Sequence, residues 1–170
     1  MEVQADKAFA EEKSAFEEVK NSVADEAAQE PKTVAFFYIT SNGQANVRKS
    51  ADYLPKMIEL AGGRYIFDSL GDEDDAMSTM SMQMEEFYAG AKDADYIIYN
   101  STIEGELSSV DDLLAKSPLF EKFKAVQEGH VYCTSKNLYQ STMSLGTITS
   151  DIRRMLTGDD ADLTYIYKLE

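Results

Sequence analysis

The chain has 170 residues, 44% of them hydrophobic, which is enough for one well-packed globular domain. Its 31 acidic residues outnumber 16 basic ones, and a net charge of −15 disfavours phosphate backbones and anionic lipid surfaces, so we expect no nucleic-acid partner. The single cysteine, Cys133, excludes an intrachain disulfide and a CxxC pair. No apolar run approaches membrane-spanning length, so the chain as it stands reads as soluble. The final Leu169-Glu170 pair resembles a cloning remnant, and together with the abrupt charged start it suggests a piece excised from a longer protein.

The first segment predicts a long helix. Glu, Lys and Ala dominate from Ala5 to Ala28, and apolar residues recur at helical spacing in a narrow stripe. Pro31 closes the segment before the first strand. Two interpretations remain open: a helix lying across one end of a sheet, or a connecting strut whose other contacts lie outside this chain.

Apolar runs alternate with helical segments along the rest of the chain. The runs predict four strands, at Thr33 to Ile39, Arg64 to Phe67, Tyr96 to Tyr99 and His130 to Thr134. Helices are predicted between them and after them, at Tyr53 to Ala61, Ser81 to Lys92, Ser109 to Leu114, Ser117-Pro118 to Val126, and Leu145 to Leu156. This alternation predicts a three-layer, doubly wound α/β domain around a mostly parallel four-stranded sheet in the order 2-1-3-4.

Polar loops follow three of the strands at their carboxyl ends, where open α/β sheets bind ligands. They are Thr40 to Lys49, Asn100 to Gly105 and Ser135 to Ser141. Their amides and hydroxyls can orient a polar ligand, but they offer no tuned pair of carboxylates for acid-base catalysis. The sequence also lacks the glycine-rich dinucleotide turn, the P-loop and the nucleophile elbow. We therefore predict a binding protein without a cofactor and not an enzyme.

Three residue types could suggest other chemistry, and each has a simpler interpretation. His130 opens a strand after a glycine turn, which is typical of a structural histidine. Cys133 lies inside the same strand and is expected to be buried. Met77, Met80, Met82 and Met84 could bind copper(I), but without a nearby His or Cys we favour packing, and we predict no metal site.

Four motifs in order resemble a known family. They are the first strand with its polar loop, Tyr53 to Gly63 (YLPKMIELAGG), Met84 to Tyr88 leading into Ala94 to Asn100, and Phe123 to Tyr132 (FKAVQEGHVY). Together they are similar to the C-terminal lobe of the substrate-binding proteins of ABC importers for iron-siderophores, haem and cobalamin.

The resemblance implies a two-lobed parent protein in which one long helix joins two α/β lobes and the ligand lies between them. Residues 1–30 would be the connecting helix and residues 31–170 the C-terminal lobe. The N-terminal lobe and the leader would be missing from this sequence. The implied partners are a ferric siderophore, haem or cobalamin-type molecule and the permease subunits. The parent would be extracytoplasmic, as a cell-surface lipoprotein or in the periplasm.

The resemblance also implies site residues in the three polar loops and near them. The expected ligand-binding residues are Tyr38, Asn42, Asn46, Arg48, Asn100, Thr102 and Tyr139. Arg48 could bind an anionic group of the ligand through its fixed guanidinium fork, or it could pair with Asp52, and the sequence leaves both open. Glu85 matches the position at which the family docks on permease arginines, and Glu86 is its neighbour.

Two other functions fit parts of the pattern. A flavodoxin-like domain would bind the phosphate of a mononucleotide with backbone amides of Ser41-Asn42-Gly43. A plain interaction domain would use the segment from Met77 to Met84.

Overall fold

The computed structural model describes residues 2–25, 30–71, 77–138 and 144–170. Its helices are α1 (Glu2–Asp25), α2 (Tyr53–Leu60), α3 (Met84–Ala91), α4 (Ser101–Glu104), α5 (Val110–Lys116), α6 (Lys124–Gln127) and α7 (Leu145–Thr157), with a 3-10 helix at Pro118–Lys122. Its strands are β1 (Thr33–Ile39), β2 (Ala45–Arg48), β3 (Arg64–Tyr65), β4 (Thr79–Met82), β5 (Tyr96–Tyr99), β6 (Val131–Thr134) and β7 (Ile166–Lys168). No helix among these residues has the length and apolar character needed to cross a membrane.

The centre of the sheet is parallel, as predicted. β1 pairs in parallel with β3 and β5, and β5 pairs in parallel with β6. The four predicted strands therefore lie in the predicted order 2-1-3-4. Below, the carboxyl edge is the edge of the sheet at which β1, β5 and β6 end, and the base is the edge at which they begin.

Three further strands extend the sheet with antiparallel pairs, and two predictions are wrong there. The predicted loop from Thr40 to Lys49 contains β2, which forms a hairpin with β1. Ser81 does not cap a helix: it lies in β4, which pairs with β2, and α3 begins only at Met84. β7 was not predicted and pairs with β6. These strands are short and partly polar, so cross-strand pairing stabilises them more than their own pattern does.

Two apolar layers cover the two faces of the sheet. On one face the ring of Phe37 lies 4.7 Å from that of Phe87 in α3 and 5.3 Å from that of Phe120 in the 3-10 helix. On the other face Phe36 packs with Ile58 of α2 and Ile152 of α7. Successive residues of β1 thus enter opposite cores, which confirms the three-layer α/β architecture.

The two ends of the chain join the domain differently. α1 packs along α7 and buries Val19, whereas Phe9 is 64% exposed. At the other end Leu169 is buried, its N–H donates to the carbonyl of Val131, and the Glu170 carbonyl accepts from Val110 at the start of α5. The final two residues are therefore an integral part of the fold.

Candidate functional site at the carboxyl edge of the sheet

The β1–β2 hairpin carries the first group of predicted residues. Its turn closes with bonds of 2.8 Å from the Thr40 N–H to the Gln44 carbonyl and from the Gly43 N–H to the Thr40 carbonyl. Gly43 has φ +76°, which suits glycine. Asn42 is exposed at the tip. The amides of Thr40, Gly43 and Gln44 all bond within the turn, so of the three amides considered for a phosphate site, at Ser41, Asn42 and Gly43, that of Gly43 is already bonded.

A polar row crosses the sheet just inside this tip. It consists of Tyr38, Asn46 and Ser81, which lie opposite one another on β1, β2 and β4. The Asn46 amide nitrogen donates to the Ser81 hydroxyl over 3.0 Å, while Ser81 itself is exposed. The structure thus brings two of the predicted ligand-binding residues, Tyr38 and Asn46, side by side and adds Ser81. Sequence reasoning missed Ser81 because it assigned that residue to a helix.

Arg48 forms the local ion pair that the sequence had left open. Its guanidinium lies 3.4 Å from the Asp52 carboxylate, and these side chains are 15% and 5% exposed. Asp52 also accepts from the Leu54 N–H at the start of α2. The Tyr65 hydroxyl bonds to both backbone groups of Arg48, at 3.1 Å from the nitrogen and 2.8 Å from the oxygen, and burial raises the pKa of Tyr65. Arg48 is therefore held in the structure from several sides.

Asn100 and Thr102 lie together at the end of β5. The Asn100 side-chain oxygen accepts from the Thr102 N–H over 3.2 Å and from its hydroxyl over 2.7 Å, so Asn100 caps the short α4. Asn100 is 1% exposed, whereas Thr102 is half-buried. Asn100 thus orients Thr102, and the next residue, Ile103, is 61% exposed on the same turn.

A buried bond pair joins the ends of β5 and β6. The Ser101 N–H donates to the Thr134 hydroxyl over 2.9 Å, and the Ser101 hydroxyl donates to the Thr134 carbonyl. Sequence reasoning did not single out this pair. It fixes the start of α4 against β6, so the second and third polar segments begin side by side. Tyr139 lies outside the described residues.

The imidazole of His130 and the thiol of Cys133 both make contacts that are typical of structural residues. His130 is at the base, where its ring stacks on Tyr96 at 4.5 Å and its Nδ1 lies 3.1 Å from the Asp95 carbonyl. Cys133 is fully buried, and burial raises the pKa of its thiol, which disfavours the thiolate. No group of three or more His, Cys, Asp or Glu among the described residues could hold a metal ion.

The methionines and the predicted docking carboxylates lie on β4, on α3 and next to them. Met82 and Met84 are buried, in agreement with packing, whereas Met77 is 65% and Met80 is 36% exposed. Glu85 and Glu86 both lie in the first turn of α3 and are exposed. Carboxylates are favoured at that position by the helix dipole, and their exposure leaves them accessible to a basic partner.

Two surface cavities lie away from the carboxyl-edge loops. One, of about 290 Å³, is at the base between α1, α2 and α7 and is lined by Val23, Lys32 and Arg153 among others. The other is an open groove of about 530 Å³ beside the start of α2, lined by Ser50, Ala51, Lys56 and Asp68. Neither contains a predicted ligand-binding residue.

The sequence profile of the family described as "Periplasmic binding protein" matches residues 2–138. The chain belongs to this family. An uncharacterized lipoprotein of Methanocaldococcus jannaschii is 28% identical over 146 residues, which are 83% of this chain and 36% of that protein.

Solved structures share the fold. The TroA-like periplasmic binding protein FepB of Veillonella parvula superposes with a TM-score of 0.68 at 12% identity, over 99% of this chain and 56% of its own. The siderophore periplasmic binding protein from the fuscachelin gene cluster of Thermobifida fusca gives 0.66 at 21% identity, over 91% of this chain and 54% of its own. The chain thus spans about half the length of these two structures and about a third of the lipoprotein.

Proposed function

We propose that this chain is the C-terminal lobe of an ABC-importer substrate-binding protein that captures an iron-siderophore, haem or cobalamin-type ligand between two lobes. Family membership carries the proposal, because the matched residues 2–138 include α1 and most of the lobe, up to residue 138. Capture requires only that the ligand binds the closed arrangement better than the open one, so no bond need be broken.

Residues 1–30 would be the connecting helix and residues 31–170 the lobe. The direction of α1 supports this division. Glu12 contacts Thr147 in the first turn of α7, and Arg153 further along α7 contacts the Ser22 carbonyl, so the two helices run in parallel. Val23 lies at Gly62, just before β3 at the base. The ten residues of α1 before Glu12, about 15 Å of helix, therefore extend beyond the carboxyl edge, where the other lobe would lie.

The ligand would meet the carboxyl edge. Asn42 at the hairpin tip, the polar row of Tyr38, Asn46 and Ser81, and Thr102 would supply hydroxyl and amide contacts, with Tyr139 as a further candidate. Asn100 would orient Thr102. Arg48 would support the hairpin through its ion pair with Asp52.

The parent would act outside the cytoplasm, as a cell-surface lipoprotein or in the periplasm. Family membership and the lipoprotein relative support this location. Its transport partner would be the permease, docked through Glu85 with Glu86 beside it.

The deciding experiment is a titration of the longer, two-lobed protein with ferric siderophores, haemin and cobalamin, followed by absorbance and calorimetry. We expect at least one class to bind. Asn42→Ala should weaken that binding about tenfold, the effect of one lost hydrogen bond. Asn21→Ala, an exposed asparagine on α1, is the matched control and should bind like the wild type. Absence of binding to all three classes would contradict the proposal.

A further inference from the structure

The first turn of α7 is capped by a side chain from another helix. Ser144 stands at the N-cap position of α7 but makes no side-chain capping bond. Glu12 of α1 supplies it: one carboxylate oxygen accepts from the Thr147 N–H over 3.0 Å, and the other accepts from the Thr147 hydroxyl over 2.7 Å. A carboxylate is the preferred group at this end of a helix, because it satisfies free N–H groups and opposes the positive end of the dipole.

Gly146 allows this contact. A Cβ atom at this position would collide with the backbone carbonyl of Glu12, so any larger residue would push α1 away from α7. Gly146 is helical and does not have positive φ, so close approach is the physical reason for glycine here.

A second contact lies ten residues further along α1, at Ser22. The Arg153 guanidinium reaches the Ser22 carbonyl at 3.4 Å, and Val23 fits against Gly62. α1 is thus held near the carboxyl edge by Glu12 and near the base by Ser22 and Val23, with Val19 buried between these contacts. Contacts at separate points along a rod together define its direction.

We infer that Glu12 is a positioning residue that sets the direction in which α1 leaves the lobe. It acts through its contacts with Thr147 and Gly146. The position of α1 on the lobe follows from contacts within this chain. The effect of this position on ligand affinity rests on the function proposed above, in which α1 carries the second lobe.

The test uses spin labels on the 170-residue chain at Lys7→Cys, beyond the contact, and Glu104→Cys on α4, both exposed positions. Cys133 is fully buried and stays unlabelled. Glu12→Gln and Thr147→Val should raise the population of displaced α1 about tenfold and broaden the distance distribution, because each removes a charge-assisted bond. Gly146→Ala should shift the mean of the distance distribution, because the added methyl group would push α1 away from α7.

Two matched variants separate this role from general effects. Thr147→Ser keeps the hydroxyl, and Glu17→Gln removes the same charge from an exposed site on α1; both should retain the wild-type distribution. An unchanged distribution in Glu12→Gln and Gly146→Ala would overturn the inference. So would a lower melting temperature without a change in distance, since Glu12 would then only stabilise α7.

The same variants connect the inference to function. In the longer protein, Glu12→Gln should weaken ligand binding while Glu17→Gln should not. If the wild-type longer protein binds none of the three ligand classes, the proposed function fails, and the distance measurement still decides the role of Glu12.

Discussion

The Arg48 guanidinium and the Asp52 carboxylate form a largely buried pair, and the same carboxylate caps α2. Removing one partner leaves the other charge in a poorly solvated site. We expect Arg48→Met and Asp52→Asn each to lower the free energy of unfolding by about 3 kcal/mol. Asp52→Ala should cost about 1 kcal/mol more, because it also removes the cap. Urea denaturation measures all three, and losses below about 0.5 kcal/mol, as for ordinary surface changes, would show that the pair is unimportant.

The lowered pKa of Asp95 should make the stability of the protein depend on pH. Burial alone would raise its pKa, but hydrogen bonds from Lys124 at 2.6 Å and from the Thr33 N–H and hydroxyl outweigh burial and hold the pKa below its ordinary value of 3.8. A depressed folded-state pKa contributes stability above pH 3.8, and this contribution is lost as the pH falls through the folded-state value. The difference in stability between wild type and Asp95→Asn should therefore shrink on acidification below about pH 4.

Denaturant titrations of both proteins from pH 2.5 to 6 measure this difference. Asp93→Asn is the control, since Asp93 is an exposed acid two residues away. A difference that stays constant, or that grows as the pH falls, would contradict the assigned direction.

Thr134 should be required for the position of α4. Thr134→Val leaves the buried Ser101 N–H without its acceptor, which should cost about 2 kcal/mol. Thr134→Ser keeps the hydroxyl and should be close to wild type. Amide hydrogen exchange at residues 101–104 is the second measurement, and equal protection in both variants would refute a role for this bond.

Glu85→Arg in the longer protein should abolish uptake while leaving ligand affinity intact, because it reverses an exposed charge that is not among the proposed ligand-binding residues. Glu59→Arg makes the same change on α2, in the opposite helical layer, and should transport normally. Glu86→Arg tests the neighbour. Unimpaired uptake by the Glu85 variant would remove this residue from permease docking.

The sequence was sufficient for the parallel centre of the fold. β1, β5 and β6 are buried runs of aromatic and β-branched residues, a pattern that few other structures produce. β2 (ANVR) and β4 (TMSM) carry no such pattern. Their structure depends on pairing with β1 and with each other, which is a tertiary property that local reading does not contain.

The placement of the candidate residues at the carboxyl edge was predictable from the sequence, and their contacts were less so. The rule that ligands bind at the carboxyl edge identified the loops, and Tyr38, Asn46 and Thr102 lie there. Ser81 could be placed only once β4 was known. The capping role of Asn100 was readable in principle, since Asn before Ser-Thr at the end of a strand is a helix-start signal. The four-residue spacing of Arg48 and Asp52 was visible in the sequence, but the burial of the two side chains was not.

Glu12 lies near the middle of α1, so a small change of angle at its contact with Thr147 produces a larger displacement at the start of the helix. About 15 Å of helix lies beyond this contact, so a tilt of about 10° would move the far tip by about 3 Å, roughly the length of a hydrogen bond. The Glu12 carboxylate, by fixing the angle of α1, therefore also fixes the position of the first residues of this helix.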